Sequence, residues 1–439
     1  MARSWQPILQ GDLRDRAIEL VLHVARTLRQ PESGRSACLA GGNAGIGLFY
    51  AYLARARDLA GAEYLDSAHQ YIDLAIDAVA ETPMHEGLFS GFTGVSWVVE
   101  HLQDQLYSQQ DDPGRDGDAN RDGQSNDGDR DDDVNEQIDE VILDLVKTTP
   151  WRRDYDLVSG LVGLGIYGLE RLPRAGARAI LTEIANRLDE LVEQDETGLS
   201  WHTRPELLPP HQHEAYPDGL YNLGLAHGIP GVLALLGQMS AVGIERERVD
   251  RLLSGGVAWL LGKSLPSGEA STFSWAHAPN VAASPSRSAW CYGDPGVACA
   301  LVLAAGNGHR AWARTAQAIA RNATLRSPSQ CGVVDAGLCH GSAGLAHLCN
   351  HLYQVTGQPE LADAARYWIE WTLDARKKHA SPGRVRFRNL YRQSPDQPEW
   401  SEDSGFLTGA AGIGLALLAA VSDIEPNWDR VLLVSSRVC

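Results

Sequence analysis

Two kinds of apolar pattern alternate along the 439-residue chain. In the first kind, apolar residues recur at every third or fourth position among charged ones, as in RDRAIELVLHVARTLRQ and RAILTEIANRLDELVEQ. This spacing is typical of an amphipathic helix that buries one face. Seven such segments are spread along the sequence, so we predict seven helices that each keep one exposed face.

The second kind is a nearly all-apolar run introduced by two glycines three residues apart. The first glycines of the seven copies are Gly42, Gly91, Gly160, Gly228, Gly293, Gly341 and Gly409. A helix without a polar face must be buried on every side. Seven such helices wrapped by seven amphipathic ones predict an all-α fold, an α/α toroid of seven inner and seven outer helices with Gly-rich turns before the inner helices. An open solenoid is the alternative, but it would leave one face of the inner helices in water.

The glycines predict where the inner helices begin. If these helices run in the same direction, their N-termini converge at one end of the toroid. We expect unpaired N–H groups and helix dipoles there to line a cavity that favours anions, including thiolates and enolates. For most of the seven copies, however, we assign the glycines to helix packing alone.

Composition and charge restrict the class of protein. A hydrophobic fraction of 44% and a charged fraction of 21% indicate a soluble globular protein. The net charge of −18 disfavours a nucleic-acid partner and suits a basic peptide better. No stretch approaches a transmembrane span, and the N-terminus lacks a signal-peptide core. We therefore expect a cytoplasmic protein that is not integral to the membrane and associates with one only through partner proteins.

We predict one domain over residues 1–439 with two segments that break the repeat. Residues 108–133 are rich in Asp and Gly and predict a disordered acidic insert. Residues 196–222 are rich in Pro and His and predict an irregular loop near the cavity mouth. The seven cysteines are odd in number and scattered, which indicates buried or chemically used thiols rather than a disulfide scaffold.

Four of the seven glycine elements carry reactive side chains just before their glycine. These side chains are Asp156 in the third copy, His227 in the fourth, Arg287, Cys291 and Tyr292 in the fifth, and Cys339 and His340 in the sixth. If the repeats superpose around a toroid, all of them face the same mouth.

Cys291, Cys339 and His340 then form a set of two thiols and one imidazole. Such a set selects zinc over harder ions, and three protein ligands with a fourth position open are typical of a catalytic site. A buried cysteine is more often an inert part of the core. We assign that role to Cys299 and Cys349, which lie within the apolar runs.

W-C-Y-G at 290–293, C-H-G at 339–341 and A-H-G-I-P-G at 226–231 together resemble the LanC family, the lanthipeptide (lantibiotic) synthetase cyclases. The resemblance extends over essentially the whole chain. It implies an α/α toroid around one Zn²⁺ ion and a stand-alone enzyme. The implied reaction is a Michael-type addition of peptide cysteine thiols to dehydroalanine or dehydrobutyrine, which forms lanthionine or methyllanthionine thioether rings.

The resemblance assigns a role to each reactive residue. The matches to the family's zinc ligands are Cys291, Cys339 and His340. His227 matches an acid/base histidine, and Asp156 matches an acidic residue near it. Arg287 and Tyr292 match residues around the first ligand. We expect Arg287 to stabilise an enolate. For Tyr292 two roles stay open, that of an acid and that of a wall of the site.

The resemblance also implies partners. These are a dehydrated precursor peptide and a lanthipeptide dehydratase and transporter complex. The alternative function is a LanC-like zinc protein that binds thiols such as glutathione, or a regulatory partner, without cyclising a peptide. A carbohydrate-active α/α barrel would need paired carboxylates in the cavity, and only Asp156 stands at a repeat mouth.

Overall fold

The computed structural model describes residues 4–59, 62–106, 133–306, 308–379, 387–394 and 397–437. In chain order its helices are α1 (Gly11–Thr27), α2 (Asn43–Arg55), α3 (Leu65–Glu81), α4 (Phe92–Leu106), α5 (Glu136–Val146), α6 (Leu161–Glu170), α7 (Ala175–Leu191), α8 (Ile229–Ala241), α9 (Arg246–Gly262), α10 (Asp294–Ala305), α11 (Arg310–Thr324), α12 (Pro328–Cys331), α13 (Ser342–Thr356), α14 (Pro359–His379) and α15 (Ala410–Val421). The predicted insert 108–133 lies outside these residues except for Asp133, which pairs with the buried Arg171 at 2.6 Å.

Three antiparallel sheets of two strands each complete the described secondary structure. They are β1 (Val192–Asp195) with β2 (Gly198–Trp201), β3 (Tyr221–Asn222) with β4 (Ala276–His277), and β5 (Phe387–Ser394) with β6 (Gln397–Asp403). Residues 196–222, which we expected to be an irregular loop, contain β2, two short 3-10 turns and β3. No helix among the described residues has the length and apolar character needed to cross a membrane.

Within the described residues, the seven helices that follow the glycine elements form a closed inner ring. These helices are α2, α4, α6, α8, α10, α13 and α15. Each contacts the next along the chain, and α15 contacts α2. Burial agrees with the apolar pattern, since α15 buries all twelve of its residues and α6 all ten. The closure of α15 on α2 excludes an open solenoid.

The amphipathic helices cover this ring from the outside. As far as the structure describes the chain, they are α1, α3, α5, α7, α9, α11 and α14. Helix α1 shows the pattern, because it buries five residues on one face: Ala17, Leu20, Val21, Val24 and Ala25. Most outer helices pack on the inner helix that precedes them, whereas α1 packs on α15. The predicted α/α toroid is confirmed.

Each inner helix begins where a loop folds back against its first repeat glycine. A Cβ on Gly42 would lie 2.2 Å from the carbonyl oxygen of Ser36, and one on Gly91 would lie 1.7 Å from that of His85. Both oxygens belong to the residue six positions earlier. At Gly293 the backbone adds a second reason, since its φ is 123° and side chains rarely adopt that region. Close backbone packing is therefore what requires glycine.

The first N–H groups of most inner helices are bonded to these loops. In α2, the N–H of Asn43 donates to the carbonyl of Ser36 at 2.8 Å, and that of Ala44 donates to Ala37 at 3.1 Å. The same seven-residue spacing recurs at the start of α4, α6, α13 and α15. Our expectation of unpaired N–H groups lining the cavity was wrong for these five helices, because loop carbonyls already accept from them.

The seven loops are also bonded to each other in a closed circle. The residues that form this loop ring are, in order, Ala40, Phe89, Val158, Ala226, Cys291, Cys339 and Leu407, each two positions before a repeat glycine. A backbone N–H of each loop donates to the next loop's ring carbonyl at 2.8–3.4 Å, and Leu407 donates back to Ala40. The donor of the third loop is Leu157, the neighbour of Val158. The ring fixes the spacing of neighbouring loops.

A plug formed by residues 427–434 fills the bore of the toroid. Trp428, Leu432 and Leu433 are each at most 2% exposed. Asp429 Oδ2 lies 2.8 Å from Nε2 of His347 on α13, and the guanidinium of Arg430 lies 3.3 Å from the carboxylate of Glu170 on α6. Because the plug touches inner helices on different sides of the ring, it lies on the toroid axis.

The packing of the loops predicts a large loss of stability at one glycine and almost none at its neighbour. A Gly42→Ala change places a methyl group against backbone, so we expect the free energy of unfolding to fall by roughly 1–3 kcal/mol. A Gly41→Ala change meets no atom within 4 Å, so its effect should stay within about 0.5 kcal/mol. Denaturant unfolding of both variants measures the difference. Equal losses in the two variants would show that loop packing does not require the glycine.

Candidate metal centre

The loop ring places the two candidate ligand cysteines side by side. Cys291 and Cys339 occupy the same position in adjacent loops, and the backbone N–H of Cys291 donates to the carbonyl of Cys339 at 3.2 Å. His340 follows Cys339 directly and stands immediately before Gly341. Two adjacent repeats therefore bring three donor side chains to one point at the mouth.

The three side chains fit a metal ion. One ligand atom each of Cys291, Cys339 and His340 lies within 4.8 Å of the other two. The ligand atoms of a tetrahedral zinc, with bonds of about 2.0–2.3 Å, lie roughly 3.5 Å apart, so small adjustments complete the geometry. Two sulfurs and one imidazole are donors that zinc prefers. Within the described part of the chain the cluster has three members, so a tetrahedral ion held there would keep a fourth coordination position open.

A buried carboxylate holds the imidazole of this cluster. Nε2 of His340 lies 3.1 Å from Oδ2 of Asp335, whose side chain is 1% exposed. This contact leaves Nδ1 as the ring nitrogen that can face a metal. Burial lowers the pKa of His340, but Asp335 and Cys291 outweigh burial and raise this pKa to about 9.

The two thiols have opposite electrostatic character. The hydrogen bond from Cys339 lowers the pKa of Cys291 against the effect of burial, and His340 and Arg287 lower it further. The pKa of Cys339 is raised, first by that same hydrogen bond and then by burial. The pair therefore favours one thiolate at Cys291. Arg287 itself is exposed at the mouth, where its charge reaches both sulfurs.

A histidine–carboxylate pair, the candidate acid/base pair, lies in the two preceding repeats. Nδ1 of His227 lies 2.6 Å from Oδ2 of Asp156, and the two side chains are 40% and 11% exposed. Burial lowers the pKa of His227, but the hydrogen bond and charge of Asp156, aided by Cys291 and Asp154, give a net increase. Since Nδ1 is held by the carboxylate, Nε2 is the nitrogen left to exchange protons.

Tyr292 lies between the acid/base pair and the segment beside the mouth. Its ring stacks on that of His227 at 5.9 Å, and its hydroxyl accepts from Nδ2 of Asn222 at 3.3 Å. Burial raises the pKa of Tyr292. Trp275 meets the tyrosine ring edge-on at 5.9 Å, and Tyr216 of the segment 196–222 packs on Trp275 at 5.4 Å. These contacts favour a role for Tyr292 as part of the wall of the site over a role as a proton donor.

All seven residues predicted from the sequence thus lie around one mouth. Sequence reasoning missed Asp335, Asn222 and Asp154. Burial, followed by the charge of Asp156, raises the pKa of Asp154 to about 6. Their shared signal is positional, because alignment of the repeats on their glycines gives one polar column six positions earlier: Ser36, His85, Asp154, Asn222, Arg287, Asp335 and Asp403.

Comparisons with known proteins agree with this architecture. Residues 35–433 match the family model described as "Lanthionine synthetase C-like protein". A stretch of 242 residues is 28% identical to "Nisin biosynthesis protein NisC" of Lactococcus lactis subsp. lactis and covers 49% of this chain. That match spans 52%, about half, of the relative's length.

A solved structure called "Nisin cyclase" has the same fold. It superposes with a TM-score of 0.71 over 97% of this chain and 98% of its own length, at 19% sequence identity. The family model starts in the loop before α2 and ends in the plug, so it includes every inner helix and every residue of the site. The chain belongs to the lanthionine synthetase C-like family.

Proposed function

We propose that this chain is a zinc-dependent cyclase that closes thioether rings in a lanthipeptide precursor. The reaction adds peptide cysteine thiols to dehydroalanine or dehydrobutyrine. The observation that carries the proposal is the convergence of two units on one loop ring. One unit is the three-member donor set at Cys291, Cys339 and His340, and the other is the pair of His227 and Asp156.

Cys291, Cys339 and His340 would hold one Zn²⁺ ion, since their spacing and donor atoms fit it. Bound zinc would supply one property, a lower pKa for a substrate thiol, which keeps that thiol as thiolate near neutral pH. The chain's own contribution is to hold two thiols and an imidazole on rigid loops.

The remaining steps fall to side chains at the mouth. His227 takes the proton of the peptide thiol on Nε2, because Asp156 holds Nδ1. The sulfur then forms a bond to the β-carbon of the dehydro residue, and the electrons of the double bond move into an enolate. The exposed guanidinium of Arg287 stabilises that charge. His227 returns the proton to the α-carbon, so the addition consumes no net proton.

The substrate class and partners follow from charge and family. The net charge of −18 favours a basic peptide. A relative named for nisin biosynthesis supports a dehydrated precursor peptide as substrate. A dehydratase, a transporter and a cytoplasmic location stay predictions from the family.

Zinc content tests the ligand assignment. We expect the wild-type chain to hold one zinc per molecule, and Cys291→Ala and Cys339→Ala to lose most of it, because two donors remain. Cys349→Ala changes a core thiol that is 5% exposed and should keep its zinc. Metal analysis of the purified proteins measures this. Full zinc content in Cys339→Ala would remove that residue from the ligand set.

Loss of the acid/base histidine should slow cyclisation without removing the metal. We expect His227→Asn to lower the rate of ring closure by roughly 10²–10⁴ at wild-type zinc content. His309→Asn, outside the mouth before α11, is the control. Mass spectrometry of thiol-alkylated products from a dehydrated precursor peptide follows the reaction. Wild-type protein that holds zinc but leaves the peptide thiols free would favour the thiol-binding alternative.

The carboxylate of Asp156 should set the pH range of the reaction. It contributes to the raised pKa of His227, so the neutral base forms only at a higher pH than an ordinary histidine allows. Asp156→Asn removes that charge, and the acidic limb of the kcat/KM profile should therefore move to lower pH. An acidic limb that stays in place would show that His227 is not the base.

A further inference from the structure

One side-chain position has a turn-forming role in most of the loops. In five of the seven loops, as the structure describes them, the side chain six residues before the repeat glycine accepts the backbone N–H two residues on. The pairs are Ser36 with Cys38 at 3.2 Å, His85 with Gly87 at 2.9 Å, Asn222 with Gly224 at 2.9 Å, Asp335 with Gly337 at 3.3 Å and Asp403 with Gly405 at 2.7 Å. This role occupies one acceptor atom.

In the last two loops a carboxylate uses its second oxygen on another side chain. Oδ2 of Asp403 accepts from the hydroxyl of Thr408, which stands immediately before its repeat glycine. Oδ2 of Asp335 lies 3.1 Å from Nε2 of His340, which occupies the same position one repeat earlier. The two loops therefore share one design, in which the carboxylate fixes the residue before the glycine. Only in the sixth loop is that residue a candidate metal ligand.

Glycine in the sixth loop leaves room for this carboxylate. A Cβ on Gly341 would lie 2.4 Å from Oδ1 of Asp335. With Oδ1 held by the N–H of Gly337, the carboxylate has a fixed orientation. Acceptance by Oδ2 keeps the proton of the imidazole on Nε2. Nδ1 is then the ring nitrogen that keeps a free lone pair, which is the tautomer a metal ligand requires.

We propose that Asp335 is a positioning residue of the metal centre, which selects the tautomer and ring orientation of His340. The proposal rests on the proposed function, because it assumes that the donor set binds zinc. Partners of this kind typically contribute 10- to 100-fold to metal affinity. Asp335 touches neither the metal nor the substrate and acts through His340.

The other loops supply the variants that separate this role from the turn. Asp335→Asn keeps an oxygen for the turn, as Asn222 does in the fourth loop, but places an NH₂ group against Nε2. Asp335→Ser keeps a hydroxyl for the turn, as Ser36 does in the first loop, and removes the contact with His340. Asp403→Asn makes the same chemical change one loop later, beside Thr408, and is the matched control.

Zinc affinity of the full-length proteins, measured by competition with a chromogenic chelator and without peptide, tests the proposal. We expect Asp335→Asn and Asp335→Ser to weaken zinc binding by roughly 10- to 100-fold, with Asp403→Asn unchanged. The ligand-field spectrum of the Co²⁺-loaded protein should shift only in the Asp335 variants.

Three results would overturn the inference. Wild-type affinity in Asp335→Asn or Asp335→Ser, or an equal loss in Asp403→Asn, would reduce Asp335 to its turn role and leave the proposed function intact. A wild-type chain that binds no zinc would overturn the proposed function together with this inference.

Discussion

A closed circle of backbone hydrogen bonds, running from Ala40 through Cys291 and Cys339 and back to Ala40, holds the mouth of the toroid together. It can close only if all seven loops follow nearly the same path. That path requires a residue without a side chain where each loop meets its helix, as at Gly42. The backbone hydrogen bonds and the glycines thus determine the path of the loops. The other side chains of the loops are therefore free to differ from one loop to the next.

The chemistry uses this freedom along one arc of the circle. Asp156, His227, Cys291 and Cys339 come from four consecutive loops, so the pair proposed to transfer protons lies beside the donor set. The two groups also differ in electrostatics, since the pKa of His227 in the pair is raised and the pKa of Cys291 in the donor set is lowered. A repetitive scaffold therefore supports an asymmetric site.

The sequence was sufficient for the layers and for the site's main residues. A helix without a polar face has to be buried, and a period of three to four residues defines the outer helices. It was insufficient for contacts that depend on how a loop turns. The bonded N–H of Asn43 and the contact of Asp335 with His340 have no local apolar or charge signal. They appear only when the repeats are aligned and the loop's path is known.

The plug at 427–434 makes the toroid a closed cup rather than a tube. Trp428 and Leu433 are buried in its bore, and the indole N–H of Trp290, next to Cys291, donates to the carbonyl of Leu432 at 2.7 Å. A polypeptide cannot thread through such a body. Under the proposed function, a peptide substrate would enter and leave by the same face as a bent segment, and a second ring would require the chain to be lifted out and seated again. The order of several rings would then depend on re-docking rather than on continuous translocation.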